Sequence, residues 1–439
     1  MLAEAGPRVT SHGAQQGVGS GWSGVGECTR LPREEGSTPD RGRAMRALVV
    51  GGGVAGPVAA LALQKAGIDA TVHEAHAAPA GDVGAWLGVQ VNGLDALRVV
   101  GADQVVREVG FPTPVIEFRS GTGRRLGELP TGTAGAVGVS VQRSELYRAL
   151  HAEALRRGIE VRYGSALVDA SSTPDGVTAT FADGSTEHAD VLVGADGVRS
   201  SVRALLDPGA PPPRFVPVLN TAGYSTHTPA GAEVGRLTMV MGRRSFFGWL
   251  PAPDGRTWWF ANPPERQEPA DGAVAARSDA EWRALLHDLH AADRAPALAL
   301  VDATPHELRG WTTYDVPFVR RWQDGQRVVL IGDAAHATSP AAGQGSSLAV
   351  EDAVVLARCL RDLPLPAALP NYERARRRRT QRVVAQGFRT SNAKSPPAVG
   401  RVVRDLVMPV VLRHRDPRAW VRDHHVDWDA PAGTDRAPA

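Results

Sequence analysis

Three short constellations in this chain have residue types and spacings that could do chemistry. The first is Gly51-Gly52-Gly53-Val54-Ala55-Gly56, a G-x-G-x-x-G string with its glycines at 51, 53 and 56. Glycine permits a tight turn and lets backbone N–H groups approach a pyrophosphate at a helix N-terminus. Glu74 follows about 18 residues past Gly56, where a carboxylate can accept a hydrogen bond from a ribose hydroxyl. The second runs from Gly194 to Arg203 and reads D-G-x-x-S-x-x-R through Asp196, Gly197, Ser200 and Arg203. The third is Gly332-Asp333-Ala334-Ala335-His336, with Pro340 and Gly343-Gln344-Gly345-Ser346 after it. A carboxylate such as Asp333 can accept hydrogen bonds from sugar or polyol hydroxyls. The glycine-rich start of the next helix offers N–H donors and a positive dipole end to an anionic ring.

Each constellation needs a strand before it and a helix after it. Arg46 to Val50, the run DVLVG and the run RVVLI are strand-like and lead directly into the three turns. A helix is expected over 54–66, ended by Gly67, and a strand over Ala70 to Glu74. Asn92 is placed to N-cap a short helix that Gly101 ends, and Ser144 to cap another with Leu146, Leu150 and Ala154 on one face. Ile159 to Tyr163, Val177 to Phe181 and Ala189 to Gly194 read as strands, the last two joined through an Asp183-Gly184 turn. The Pro-rich stretch 208–216 marks a crossing between domains. From about 218 to 320 the runs are short, strand-like and aromatic, with Phe246, Phe247, Trp249, Trp258, Trp259 and Phe260 expected to split between two faces. Helices are expected at 278–291, 346–361 and 370–389.

Composition narrows the function. The chain has 439 residues, 43% of them apolar, and a net charge of +2, which is no nucleic-acid signature. Its two cysteines, Cys28 and Cys359, cannot make a disulfide framework or a four-thiolate metal site, so no metal and a reducing, cytoplasmic setting are expected. No run approaches the length of a membrane span. Residues 1–44 lack apolar periodicity and read as a disordered extension before a fold that begins at Met45. Arg376 to Arg379 reads as a solvated helix face, His424-His425 as no metal site, and Cys359 as inert core.

Taken together, in this order and context, the three motifs resemble those of the single-component flavoprotein aromatic hydroxylases, the family with a p-hydroxybenzoate hydroxylase-like fold. The resemblance covers about 46–390. It implies that Gly51, Gly53, Val54, Ala55 and Gly56 turn around the pyrophosphate of FAD, with Glu74 on its ribose. It implies that Asp196, Gly197 and Arg203 belong to a motif associated with both FAD and the nicotinamide cofactor. Gly332 and Asp333 would meet the flavin ribose, and Pro340, Gly343, Gly345 and Ser346 the flavin loop. The string VQRSELYRAL is similar to a family segment that lays Arg143 against FAD. This chain departs from the family in two places. Ser346-Ser347 stands where Asn is frequent, and the segment after Glu74 lacks an Arg that many members carry.

The expected fold is α/β, α+β overall: a Rossmann-like FAD-binding domain with an inserted, mainly antiparallel-sheet substrate domain. The FAD domain is assigned to 45–112, 139–213 and 322–395, the substrate domain to 113–138 and 214–321, and a C-terminal tail to 396–439. The family's chemistry is reduction of FAD by transiently bound NADPH or NADH, reaction with O2 to a flavin C4a-hydroperoxide, and hydroxylation of a small aromatic or polyketide-like substrate. No side chain is assigned as catalyst beyond His336, a candidate proton shuttle that reads better as structural. A monomer or homodimer is expected. Other flavin chemistry on the scaffold (an epoxidase, a halogenase or a prenyl-chain reductase) and a non-catalytic FAD-binding protein are the alternatives. The halogenase string W-x-W-x-I-P is absent, its place being taken by WTTYDVP at 311–317.

Overall fold

The computed structural model describes residues 44–78, 86–132, 135–392, 398–414 and 419–433. The expectation of a disordered extension, and residues 79–85 of the segment expected to lack an arginine after Glu74, lie outside the described residues. Five strands make the first sheet, in the order Val328–Leu330, Val191–Gly194, Arg46–Val50, Asp69–Glu74 and Glu160–Tyr163. Every pairing in it is parallel. Parallel strands covered on both faces read as unbroken apolar runs. Accordingly Ala47 to Val50, Val191 to Val193 and Val328 to Leu330 are all buried.

The register of this sheet places the chemistry. Val50 lies beside Gly194, Gly194 beside Leu330, and Val50 beside His73. The three motif turns and Glu74 therefore leave the same C-terminal edge of adjacent strands, where open α/β sheets bind ligands. The helix Ala55–Lys65 is buried from Ala55 to Leu63 because it lies between this sheet and the helix Gly345–Asp362, itself buried from Ser347 to Leu360.

A second sheet has seven strands, in the order Gly310–Asp315, Arg214–Ser225, Thr257–Asn262, Phe246–Pro251, Arg236–Met241, Val115–Ser120 and Arg125–Pro130. Its pairings are antiparallel except that between Arg236–Met241 and Val115–Ser120. The aromatic run divides by strand alternation, as expected. Phe247 stacks on Trp259 at 5.5 Å on the face covered by Trp282, Leu286 and Leu300, while Trp258 and Phe260 point to the opposite face. The covering helix Asp279–His290 starts with a capping box between Ser278 and Glu281. A small sheet of Trp86–Val89, Val139–Gln142 and Gly110–Pro112 faces the seven-stranded one, and Trp86 meets Phe260 at 5.5 Å and Trp258 at 6.0 Å.

Several local expectations change. The hairpin partner of Val177–Phe181 is Thr186–Ala189, and Val191–Gly194 instead enters the parallel sheet. Neither Asn92 nor Ser144 caps its helix. The helices begin at Val91 and Arg143, so Gln90 and Gln142 hold the cap positions, and both expected caps are buried inside. Within the expected tail, Ala398–His414 and Ala419–Arg422 are helical. The expected helix at 370–389 extends over Leu365–Asn392 with Pro370 inside it, and Asn371 Nδ2 donates to the carbonyl of Ala367 beside that proline. No described helix is long and apolar enough to cross a membrane.

Candidate dinucleotide site

The first turn uses its glycines for different purposes. Gly51 has φ of +108°, and a Cβ there would stand 2.5 Å from the carbonyl oxygen of Ala195. The first motif thus passes directly against the second. A Cβ on Gly56 would stand 1.9 Å from the Gly51 carbonyl oxygen, so only glycine lets the helix start fold onto the turn. Gly53 differs, because a Cβ there would have no neighbour within 4 Å. The space above Gly53 is open, at the N-terminus of a helix that carries no side-chain cap and no acid in its first turn. Its leading N–H groups and positive dipole end are available to a pyrophosphate.

Glu74 accepts a 2.6 Å hydrogen bond from Gly52 N through Oε2, and bonds from the backbone and ring of His76 through Oε1. Burial raises its carboxyl, but the donors from His76 and Gly52 outweigh that and leave it below the usual range. The motif search missed His151. Its ring joins the Gly52 carbonyl to the hydroxyl of Tyr163. A signal was present, since Arg143, Tyr147 and His151 recur every four residues on one helix face. The Arg143 guanidinium lies 5.8 Å from the Tyr147 ring centre, and its Nε is buried with no acceptor.

The second motif is an internal brace. Asp196 accepts from the Ser200 hydroxyl at 2.5 Å and from Val202 N at 3.1 Å, while Ser200 accepts from Arg203 N and caps the helix Ser201–Leu206. Gly197 turns at φ of +80°. Arg203 is buried and donates to the carbonyls of Val198 and Ala334, tying the second motif to the third.

Gly332 has φ of +58° and ψ of −138°, a backbone region for glycine, and donates its N–H to Asp352. Asp333 follows as the first residue of a one-turn helix. Its carboxylate makes no hydrogen bond among the described residues, although burial pushes its carboxyl above the usual range, with His336 and Arg143 pulling the other way. Pro340 opens the short turn Pro340–Ala342, Gly343 is left-handed at φ of +61°, and Gly345 begins the next helix. A Cβ on Gly345 would sit 3.9 Å from Asp333 Oδ1, so the open carboxylate faces that helix start. Ser346 is long-bonded to the Gly88 carbonyl at 3.5 Å, and Ser347 is buried and accepts from Gln90 N. Of the assigned residues, Gly53, Arg143, Asp333 and the two helix starts therefore present unused groups, whereas Asp196 and Arg203 spend theirs inside the protein.

Beneath the third motif lies a buried ionic cluster that the sequence reading overlooked. Arg376 pairs with Glu351 and Asp352, Arg379 pairs with Glu351, and all four side chains are at most 3% exposed. The expectation of a solvated Arg376–Arg379 face is thereby corrected. The helix Leu365–Asn392 buries the side carrying Tyr372, Arg376, Arg379, Thr380 and Val383, and only the other side meets water. Asn92 donates to both Gln344 and Glu351, linking the Gly343–Gly345 turn to the cluster. His336 bonds Asp352 through Nε2 and packs on Trp322, so it is an anchor of the loop. His425 bonds Asp95, and no cluster that could hold a metal occurs among the described residues.

The donors and acceptors present fit FAD: an open glycine at an uncapped helix start, an unpaired carboxylate for polyol hydroxyls, and an unpaired arginine N–H. Removal of Asp333 separates that reading from a structural one. Its raised carboxyl means the folded chain holds a proton to higher pH than the unfolded chain, so its contribution to stability falls as pH rises through that window. Asp333→Ala is therefore expected to keep or raise the thermal stability of flavin-free protein at neutral pH. It should weaken FAD binding about ten- to hundredfold by removing a charge-assisted acceptor. Titration of flavin fluorescence checks this, and an unchanged dissociation constant would remove Asp333 from the site.

Residues 44–387 match the family described as FAD binding domain. The chain is 33% identical to an aurachin C monooxygenase/isomerase of Stigmatella aurantiaca over 349 residues, covering 78% of this chain and 88% of the relative. It is 31% identical to the 3-amino-4-hydroxybenzoate 2-monooxygenase PtnB3 of Streptomyces platensis, covering 86% and 95%. The crystal structure of Klebsiella pneumoniae HpxO complexed with FAD and uric acid superposes with a TM-score of 0.74 at 26% identity, covering 86% of this chain and 95% of that one.

Proposed function

Because this chain belongs to the FAD-binding-domain family of flavin-dependent monooxygenases, we propose that it hydroxylates a small aromatic substrate with O2 and with electrons from NADPH or NADH. The observation that carries this reading is the convergence of unused polar groups beside an aromatic wall. Gly53 is open, Asp333 unpaired and Arg143 Nε without an acceptor. Trp86 pairs in register with Gln142, next to Arg143, and joins Phe111, Trp258 and Phe260 across the two sheets. A flat ring entering there is met by aromatic edges and faces.

FAD, when bound, supplies the electron transfer and oxygen activation. The chain's own residues bind and orient it. The Gly51–Gly56 turn holds the pyrophosphate, Asp333 the polyol hydroxyls, and the Gly345 helix start faces the ring with its dipole. Arg143 offers its unpaired N–H to the flavin. Trp86, Phe111, Trp258 and Phe260 exclude water from the reacting ring and orient it. No described side chain is needed as a general base, and His336 is already committed to Asp352. The single dinucleotide turn supports a nicotinamide cofactor that binds transiently.

The test is a panel of hydroxybenzoates, aminohydroxybenzoates, quinolones and purines. The yellow, purified protein should oxidise NADPH or NADH faster with at least one of them. Mass spectrometry should find a product heavier by one oxygen atom. Flavin-loaded protein that is indifferent to the whole panel would count against an aromatic substrate.

A further inference from the structure

The helix Ala398–His414 lies along Arg125–Pro130, the edge strand of the seven-stranded sheet. Its inward side is accounted for. Leu412 fills the space over Gly127, Met408 joins the core behind it, and Arg401 and Arg404 donate to the carbonyls of Arg243 and Met241. The outward side carries Val402, Val403, Leu406, Val407, Val410 and Val411, each between 44% and 61% exposed. They form two rows with a four-residue period, the geometry of ridges that pack into a neighbouring helix. Among the described side chains, no charge interrupts the stripe. An apolar strip of this size on a single chain marks an interaction surface.

We propose that this helix pairs with the same helix of a second copy, antiparallel about a two-fold axis. The spacing of the stripe is symmetric about the point between Leu406 and Val407. A two-fold axis there sets Val402 opposite Val411, Val403 opposite Val410 and Leu406 opposite Val407, so each of these six residues finds an apolar partner, while Val399 at the end of the helix falls outside the paired set. Covering the strip removes roughly 600 Å² from each protomer, so roughly 1,200 Å² in all, the lower edge of a stable specific interface. Valine adds little rotamer entropy to the cost of ordering. A lipid surface fits less well. Helices that lie on membranes turn basic residues outward on their polar side, and here Arg401 and Arg404 point into the protein.

Sedimentation velocity on the full-length, flavin-loaded protein at about 50 µM should give twice the 46.4 kDa of one chain. The double variant Leu406→Glu/Val407→Glu should sediment as a monomer, with association weakened at least about hundredfold. Its circular dichroism and flavin content should be unchanged, because both side chains face solvent in one copy. In a Cys28→Ser background, Leu406→Cys should oxidise readily to a covalent dimer. Val399→Cys should not, because the antiparallel pairing holds the two copies of position 399 roughly 20 Å apart. A monomeric wild type would overturn the proposal, as would a dimer that survives the double variant or equal cross-linking at 399 and 406. Binding of a monomeric wild type to anionic phosphatidylserine vesicles, lost in the double variant, would also overturn it and assign the face to lipid.

Discussion

Replacing Gly53 with valine is expected to leave the fold standing and empty it of flavin. The two halves of that result come from one observation. The Cβ position at Gly53 has no neighbour within 4 Å, and its backbone is not in the left-handed region, so the folded chain tolerates a side chain there. On the proposed reading, the valine would enter the space that a pyrophosphate needs against the backbone N–H groups. FAD affinity should fall at least about hundredfold, with thermal stability of the flavin-free protein nearly unchanged. Gly56→Val is the contrasting variant. A Cβ at Gly56 meets the Gly51 carbonyl oxygen at 1.9 Å, so that variant should lose the fold together with the flavin. Flavin absorbance per protein and a thermal melt on both variants give the comparison. A soluble Gly53→Val protein that purifies fully loaded with FAD would remove the turn from the cofactor site.

A large loss of stability, without loss of the fold, is expected from Glu351→Gln. Glu351 and Asp352 face Arg376 and Arg379 in a buried cluster with equal positive and negative charge. Burial alone would raise the Glu351 carboxyl, but Arg376 and Arg379 outweigh it and hold it far below the usual range. Removing the carboxylate leaves two buried guanidinium groups short of a partner, a loss of about 3–5 kcal/mol. The pH dependence follows from the same shift. The folded value lies below the unfolded one, so the stabilisation is present above the ordinary carboxylate range and disappears as pH falls through and below it. Wild-type protein should therefore lose stability steeply in acid, and Glu351→Gln should flatten that slope. Asn92 and Gln344 tie the cluster to the Gly343–Gly345 turn, so the variant should also bind FAD more weakly. Denaturant midpoints measured against pH check this, and a slope unchanged by the variant would contradict it.

What the sequence disclosed was mostly local. The three motif turns were legible because each lies between an apolar strand and a helix, and because glycine there answers a steric demand, as at Gly51 and Gly56. Strand alternation sufficed to divide Phe247 and Trp259 from Trp258 and Phe260. What failed needed tertiary partners. Arg376 and Arg379 looked solvated because charge on a helix usually is, and only the acidic pair Glu351-Asp352 between the apolar runs of its helix hinted at burial. Asn92 and Ser144 have the chemistry of caps, yet each helix is capped two residues earlier, at Gln90 and Gln142, and Asn92 is drawn to Gln344 and Glu351. The internal bonds of Arg203 to the carbonyls of Val198 and Ala334 were likewise not visible in its motif spacing. The helix Ala398–His414 was missed because Pro409 lies inside it and reads as a break.

If this chain uses FAD to place an atom of molecular oxygen on an aromatic ring, turnover under 18O2 in ordinary water will show it, using whichever panel compound most stimulates NADPH or NADH oxidation. One 18O atom in the product, with the reaction lost in Gly53→Val, is the predicted result. A product whose new oxygen comes from water, or a reduced product with no new oxygen, would contradict it.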